Sequence, residues 1–157
     1  LAVEAQDDRQ RQALDIVRDW DRVAGRDSTA TTIYQAWYQQ LSRVILADEL
    51  QGELLEDFVT RKHPHFLRNI LADPNSSWCD NVLTVPRESC VEIAEVALEK
   101  GLDDLEERLS VLCRWILDAE GQGRHYGLRL GAEVIEPSRG EAHRRRCLDA
   151  LKETGLK

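Results

Sequence analysis

From Val91 to Leu109 the apolar residues Val91, Ala94, Leu98, Leu102, Leu105 and Leu109 recur every three or four positions, with most Asp and Glu between them. That period puts the apolar set on one face of an α-helix, so this stretch must pack one side against a partner. Thr84, Pro86 and Glu88 stand ahead of it as start signals, and the spacing predicts the longest helix of the chain here. A chain organised around such a stripe is constrained to a mainly α arrangement.

Other stripes fit the same architecture. Ala13, Ile16, Val17, Trp20 and Ala24 line one face of a helix over 9–24, with Gly25 as its stop. Ser28 is placed to cap a second helix, whose stripe of Ile33, Trp37, Leu41, Val44 and Ile45 is widened by Tyr34 and Tyr38 and ends near Gly52. Leu54, Leu55, Phe58 and Val59, then Phe66, Leu67, Ile70 and Leu71, read as two short helices broken at Pro64, the second ended by Asp73-Pro74. A turn-rich loop follows to Asn81.

Beyond residue 109 the character changes. Gly121, Gly123, Gly127, Gly131, Gly140 and Gly155 fall here with the run Arg144-Arg145-Arg146, and only Cys147, Leu148 and Leu151 mark a closing helix. The chain therefore divides into a helical scaffold over 1–109 and a divergent, or frame-shifted, tail over 110–157.

With 157 residues the chain can bury one core of ordinary size. No apolar run nears the roughly 18 residues that span a bilayer, so a membrane partner is not expected. A net charge of -8 opposes nucleic acid, whose affinity rests on Lys and Arg displacing counterions. The chain begins at Leu1, contains no Met and has no signal-peptide pattern, which points to a processed chain or a fragment. Cys79, Cys90, Cys113 and Cys147 show no C-x-x-C spacing; buried thiols are the plainer reading and a disulfide the alternative.

Each candidate for chemistry meets a plainer reading. His63 and His65 flank Pro64, but no third ligand type stands near enough to complete a metal set. Asp7-Asp8, Asp103-Asp104 and Glu106-Glu107 are adjacent on helices, hence face different directions and read as solvated surface. Ser110, Cys113, Asp118 and His125 hold the residue types of a nucleophilic device without a G-x-S-x-G elbow. Gly121-Gln122-Gly123 lacks the strand-to-helix setting of a phosphate cradle and reads as a linker. Trp20, Trp37, Trp78 and Trp115 are expected in the core.

Several blocks together carry a resemblance. They are Ala13-Leu14-Asp15-Ile16-Val17-Arg18-Asp19-Trp20-Asp21, the stretch from Ser28 to Trp37, Leu46-Ala47-Asp48-Glu49-Leu50, the stretch from Ile70 to Asp80, and Leu105-Glu106-Glu107-Arg108-Leu109. In this order the chain resembles the penicillin acylase (penicillin amidase) family over about residues 10–109. After Leu109 the family's W-G-x-x-H-like stretch is not found, and only 137–143 faintly matches it.

The resemblance implies a parent of the αββα N-terminal-nucleophile hydrolase fold, self-cleaved so that a serine begins its β chain and uses its own α-amine as base. It implies hydrolysis of linear amide C–N bonds, as in a β-lactam side chain or an acyl-homoserine lactone, with an oxyanion hole for the tetrahedral intermediate. The implied partners are the rest of the same precursor, namely the α chain and the remaining β chain, and a small acylated amine as substrate; neither nucleic acid nor a membrane is among them. The family admits calcium, while this segment is expected to hold no cofactor. An exported or periplasmic setting goes with it. Leu1 cannot act as the serine and no residue matches the family's oxyanion asparagine, so no catalytic, cofactor-binding or metal residue carries over and the isolated segment is expected to be inactive. The rival expectation is a helical interaction module with no enzymatic parent.

Overall fold

The computed structural model describes residues 2–25 and 28–154. Leu1 and Gly155, singled out above, lie outside them. Six helices and one two-stranded sheet make up the described residues, so the chain is mainly α, as the stripes require.

Helix α1 (Asp8–Arg18) starts where the Asp7 carboxylate accepts a hydrogen bond from the Gln10 N–H at 2.7 Å, and buries Ala13 and Leu14. It ends six residues before the expected Ala24. Past Arg18 the chain finds better partners than a further turn: the Trp20 indole donates to the Val23 carbonyl, the Asp21 carboxylate accepts from the Val23 N–H, and Arg22 takes φ +65°. Such side-chain bonds compete directly with the helix ladder.

Helix α2 (Thr29–Leu46) is capped by Ser28, whose hydroxyl accepts from the Thr31 N–H at 3.1 Å. It ends short of Gly52 because the Leu46 carbonyl takes the N–H of Glu49 and Leu50, which closes the last turn. Gly52, at φ +58°, then starts α3 (Glu53–Arg61), and after the expected break α4 (Pro64–Leu71) carries Pro64 in its first turn.

The loop from Ala72 to Ser89 holds a short 3-10 turn at Ser77–Cys79, and a disulfide joins Cys79 to Cys90 just after the loop. The disulfide corrects the thiol reading for these two cysteines; Cys113 and Cys147 are free.

Helix α5 (Cys90–Gly121) is the longest, with 32 residues. It does not begin at the Thr84 signal, because Glu88 is used within the loop, accepting from the Asn81 N–H and the Thr84 hydroxyl. The start falls instead at a capping box: Ser89 accepts from the Glu92 N–H, and the Glu92 carboxylate accepts from the Ser89 N–H at 2.7 Å. It runs on past Leu109, since no Gly or Pro interrupts it between Ser110 and Glu120. The boundary expected at 109/110 thus falls inside α5.

Two cores share this helix. Its first half buries Ala94, Leu98 and Leu102 with Ile33 and Ile45 of α2, Ala13 and Leu14 of α1, and Val59, Leu67 and Ile70 of the short helices. Full burial of each large aliphatic contributes about 1.5–3 kcal/mol. The Trp37 indole donates to the Ala94 carbonyl at 2.9 Å and ties α2 to α5.

Ile116 in the second half packs with Leu128, Ile135, Cys147 and Leu151. These belong to an antiparallel hairpin, β1 (Tyr126–Leu130) and β2 (Glu133–Ser138), and to α6 (Glu141–Thr154). The closing helix is present; the hairpin was not expected from the sequence. Gly121-Gln122-Gly123 is no linker, because Gln122 closes α5 and Gly123, at φ +64°, turns the chain into β1.

Candidate functional site

Most of the paired carboxylates are used structurally. Asp7 caps α1 and Asp8 pairs with Arg11. Arg9 of α1 reaches both Asp103 and Glu106 of α5, at 2.9 and 3.0 Å, and these acceptors raise its pKa, Glu106 foremost. Asp104 accepts from Gln40. No pair brings two carboxyl groups to one buried spot among the described residues.

His63 stacks on Phe58 with ring centroids 3.9 Å apart, and His65 is exposed. No group of three His, Cys, Asp or Glu among the described residues is disposed to hold a metal ion.

Ser110, Cys113 and Asp118 sit along α5, with His125 beyond its end. Ser110, Asp118 and His125 are exposed, and none of the four hydrogen-bonds another. The expectation of buried tryptophans holds in part: Trp20 and Trp37 are half-buried, whereas Trp78 is 46 % and Trp115 63 % exposed.

The polar cluster that does form joins the end of α5 to the tail. The Glu120 carboxylate accepts from the Gly140 N–H, at 3.1 and 3.0 Å to its two oxygens, and from the Tyr126 hydroxyl at 2.9 Å. The Gly140 N–H, then the Tyr126 hydroxyl, hold its pKa below the ordinary range. Burial, then Glu120, pushes the Tyr126 phenol up to about 12.

His143 and Cys147 stand one turn apart on α6, with Nε2 and Sγ 3.7 Å from each other. The spacing i, i+4 could have shown this pair in the sequence. It is not a nucleophile and base. His143 Nε2 lies 2.7 Å from the Tyr126 carbonyl, which can only accept, so Nε2 carries the proton and has no lone pair for the thiol. Cys147 is fully buried, and burial raises its pKa.

Several cavities mark the surface, and two of them carry apolar linings beside charged groups. One of about 290 Å³ lies between α2 and α4, lined by Tyr34, Trp37, Tyr38, Pro64, Leu67 and Arg68 among others. A larger one, of about 650 Å³, lies between the start of α2, the middle of α5 and the hairpin turn; Leu102, Leu105, Leu109 and Leu130 line it with charged Arg108, Arg129 and Glu133.

Neither the curated proteins nor the solved structures contain a significant match to the chain. The family described as penicillin amidase matches residues 1–120, that is, every element from α1 nearly to the end of α5. This extends past Leu109, where the block-by-block resemblance stops, and covers well over half of the 157 residues. The chain belongs to the penicillin amidase family.

Proposed function

We propose that the chain is a scaffold segment of a hydrolase that cleaves linear amide C–N bonds of acylated amines, with a β-lactam side chain or an acyl-homoserine lactone as substrate. The observation that carries this reading is the family match over residues 1–120. The nucleophile is a serine outside residues 1–157, at the head of a processed β chain. Its α-amine takes the hydroxyl proton during attack on the amide carbonyl, which solves the weak nucleophilicity of a free hydroxyl. Donors of an oxyanion hole then hold the tetrahedral intermediate. Any calcium of the enzyme is bound outside this segment.

The partner is the remainder of the same precursor. Val82, Leu83 and Val85 stand 63 %, 75 % and 94 % exposed in one loop beside Trp78, apolar surface of the kind that seeks a protein neighbour. The Cys79–Cys90 disulfide supports an exported location, where disulfides form and persist.

The test uses the natural gene product that carries this chain. Purified, it hydrolyses a chromogenic phenylacetyl or long-chain acyl anilide, and a serine-directed covalent inhibitor labels the N-terminal serine of a processed chain. Labelling within residues 1–157, or an unrelated domain encoded in place of a processing junction, would overturn the proposal.

A further inference from the structure

We propose that the cavity between α2 and α4 binds a small monoanionic carboxylate with an aromatic or branched apolar body. This site is separate from the amide chemistry proposed above and does not depend on it.

The size and lining set the class of ligand. At about 290 Å³ the cavity stands at the lower edge of ligand pockets, which run from about 300 to 1,000 Å³. Tyr34, Trp37 and Tyr38 of α2 form an aromatic wall, since positions three and four apart share a helix face. Pro64, Leu67 and Leu71 of α4 contribute apolar lining, and Val3, Leu41 and Ala94 complete it. An aryl ring or branched chain gains dispersion and hydrophobic contact with such surfaces.

Charge selects the anion. Arg68 is the single charged residue lining the cavity, and no carboxylate lines it. Arg9, Arg43, Arg61 and Arg87 are each paired with an acid, whereas Arg68 has no ion-pair partner among the described residues. In a chain of net charge -8 an unmatched guanidinium beside an apolar cavity is a ready partner for a carboxylate.

A second polar group points the same way. The Tyr38 hydroxyl is buried, and although the His63 backbone and the Ser42 side chain stand near it, neither makes a hydrogen bond of good geometry to it. A buried hydroxyl is rarely left so, because the unmade bond is expensive. Burial, then the neighbouring Tyr34, raises its pKa, so it remains a protonated donor for a ligand oxygen.

The probe is 3-phenylpropanoate, with the uncharged 3-phenylpropan-1-ol as control, titrated into the natural protein and followed by calorimetry and Trp fluorescence. A ligand of this size should bind with Kd of about 0.1–3 mM. The acid should bind about three- to tenfold tighter than the alcohol, the range expected for a partly exposed charge pair. Arg68→Gln should erase that preference and leave the alcohol's affinity unchanged, while Tyr38→Phe should weaken both about threefold. No saturable binding to folded protein, equal affinity for acid and alcohol, or a preference that survives Arg68→Gln would each overturn the proposal.

Discussion

Gly101 of α5 faces the backbone of Ala36 in α2, and a Cβ placed on it would lie 3.0 Å from the Ala36 carbonyl carbon and the Trp37 nitrogen. The two helices approach this closely only because position 101 lacks a side chain. Helix backbone cannot rotate aside as a side chain can. Gly101→Ala is therefore expected to lose up to about 2 kcal/mol, an overpacking cost of about 1–3 kcal/mol less about 1 kcal/mol of helix propensity. Chemical denaturation measures this, and a stabilised variant would refute the close contact.

Cys79 and Cys90 tie the 3-10 turn to the first residue of α5, and both are buried. Closing a loop with a sequence separation of 11 restricts the unfolded chain by about 3 kcal/mol in the chain-entropy account. The double variant Cys79→Ala, Cys90→Ala should lose about 2–4 kcal/mol, and a thiol count under denaturing conditions should rise from two to four when a reductant is added. Four free thiols before reduction would exclude the bridge.

The start of α5 makes the chain sensitive to acid. Ser89 holds the pKa of Glu92 below the ordinary range, first through its backbone N–H and then its hydroxyl, and the Thr84 hydroxyl foremost lowers that of Glu88. A depressed folded-state pKa means that the stabilisation is present above the unfolded value of about 4.3 and is lost as pH falls through the folded value. Thermal melts should drop below about pH 4, and Glu92→Gln should flatten that drop. Ser89→Ala should cost about 1 kcal/mol at neutral pH, and Ser89→Gly only a few tenths.

The helices were legible because a period of 3.6 repeats over many residues: the Ile33 to Ile45 stripe and the Ala94, Leu98 and Leu102 set predicted what is buried. The bounds were less so. Trp20 and Asp21 continue a helical pattern but spend their polar groups on Val23, a local competition that periodicity does not register. The hairpin escaped for a related reason. Each strand buries one residue, Leu128 or Ile135, too few for alternation to show, and Gly127 sits where the strands approach closely at Ile135. The disulfide depended on connectivity that spacing alone leaves open. Trp78 and Trp115 stand exposed where burial is expected, because an aromatic at helical spacing does not reveal which face has a neighbour.

Cys147 and Cys113 should differ in reactivity. Cys147 is fully buried, with its pKa raised by that burial and its neighbour His143 engaged by the Tyr126 carbonyl, while Cys113 is half-buried. Since the thiolate is the reacting species, a disulfide-exchange reagent should modify Cys113 in the native protein at least tenfold faster than Cys147. Peptide mapping after a timed reaction distinguishes them, and faster labelling of Cys147 would contradict the proton assignment on His143.

Tyr126 couples the tail to α5 through Glu120, and alkali should expose this link. Burial foremost, then the Glu120 carboxylate, raises its phenol to about 12, so the neutral phenol is favoured in the folded chain. With a folded-state pKa above the unfolded value of about 10, the stabilisation is present below that value and is lost as pH rises through the folded one. Phenolate absorbance should thus include a late tyrosine near 12, absent in Tyr126→Phe. Glu120 would keep its bonds to the Gly140 N–H in that variant, so α6 should stay docked while its melt loses about 1 kcal/mol, the worth of one hydrogen bond. Glu120→Gln weakens both contacts and should lower the late pKa, since it removes the charge that opposes ionisation. A late phenol untouched by either variant would assign the shift to another tyrosine and remove this link between α5 and the hairpin.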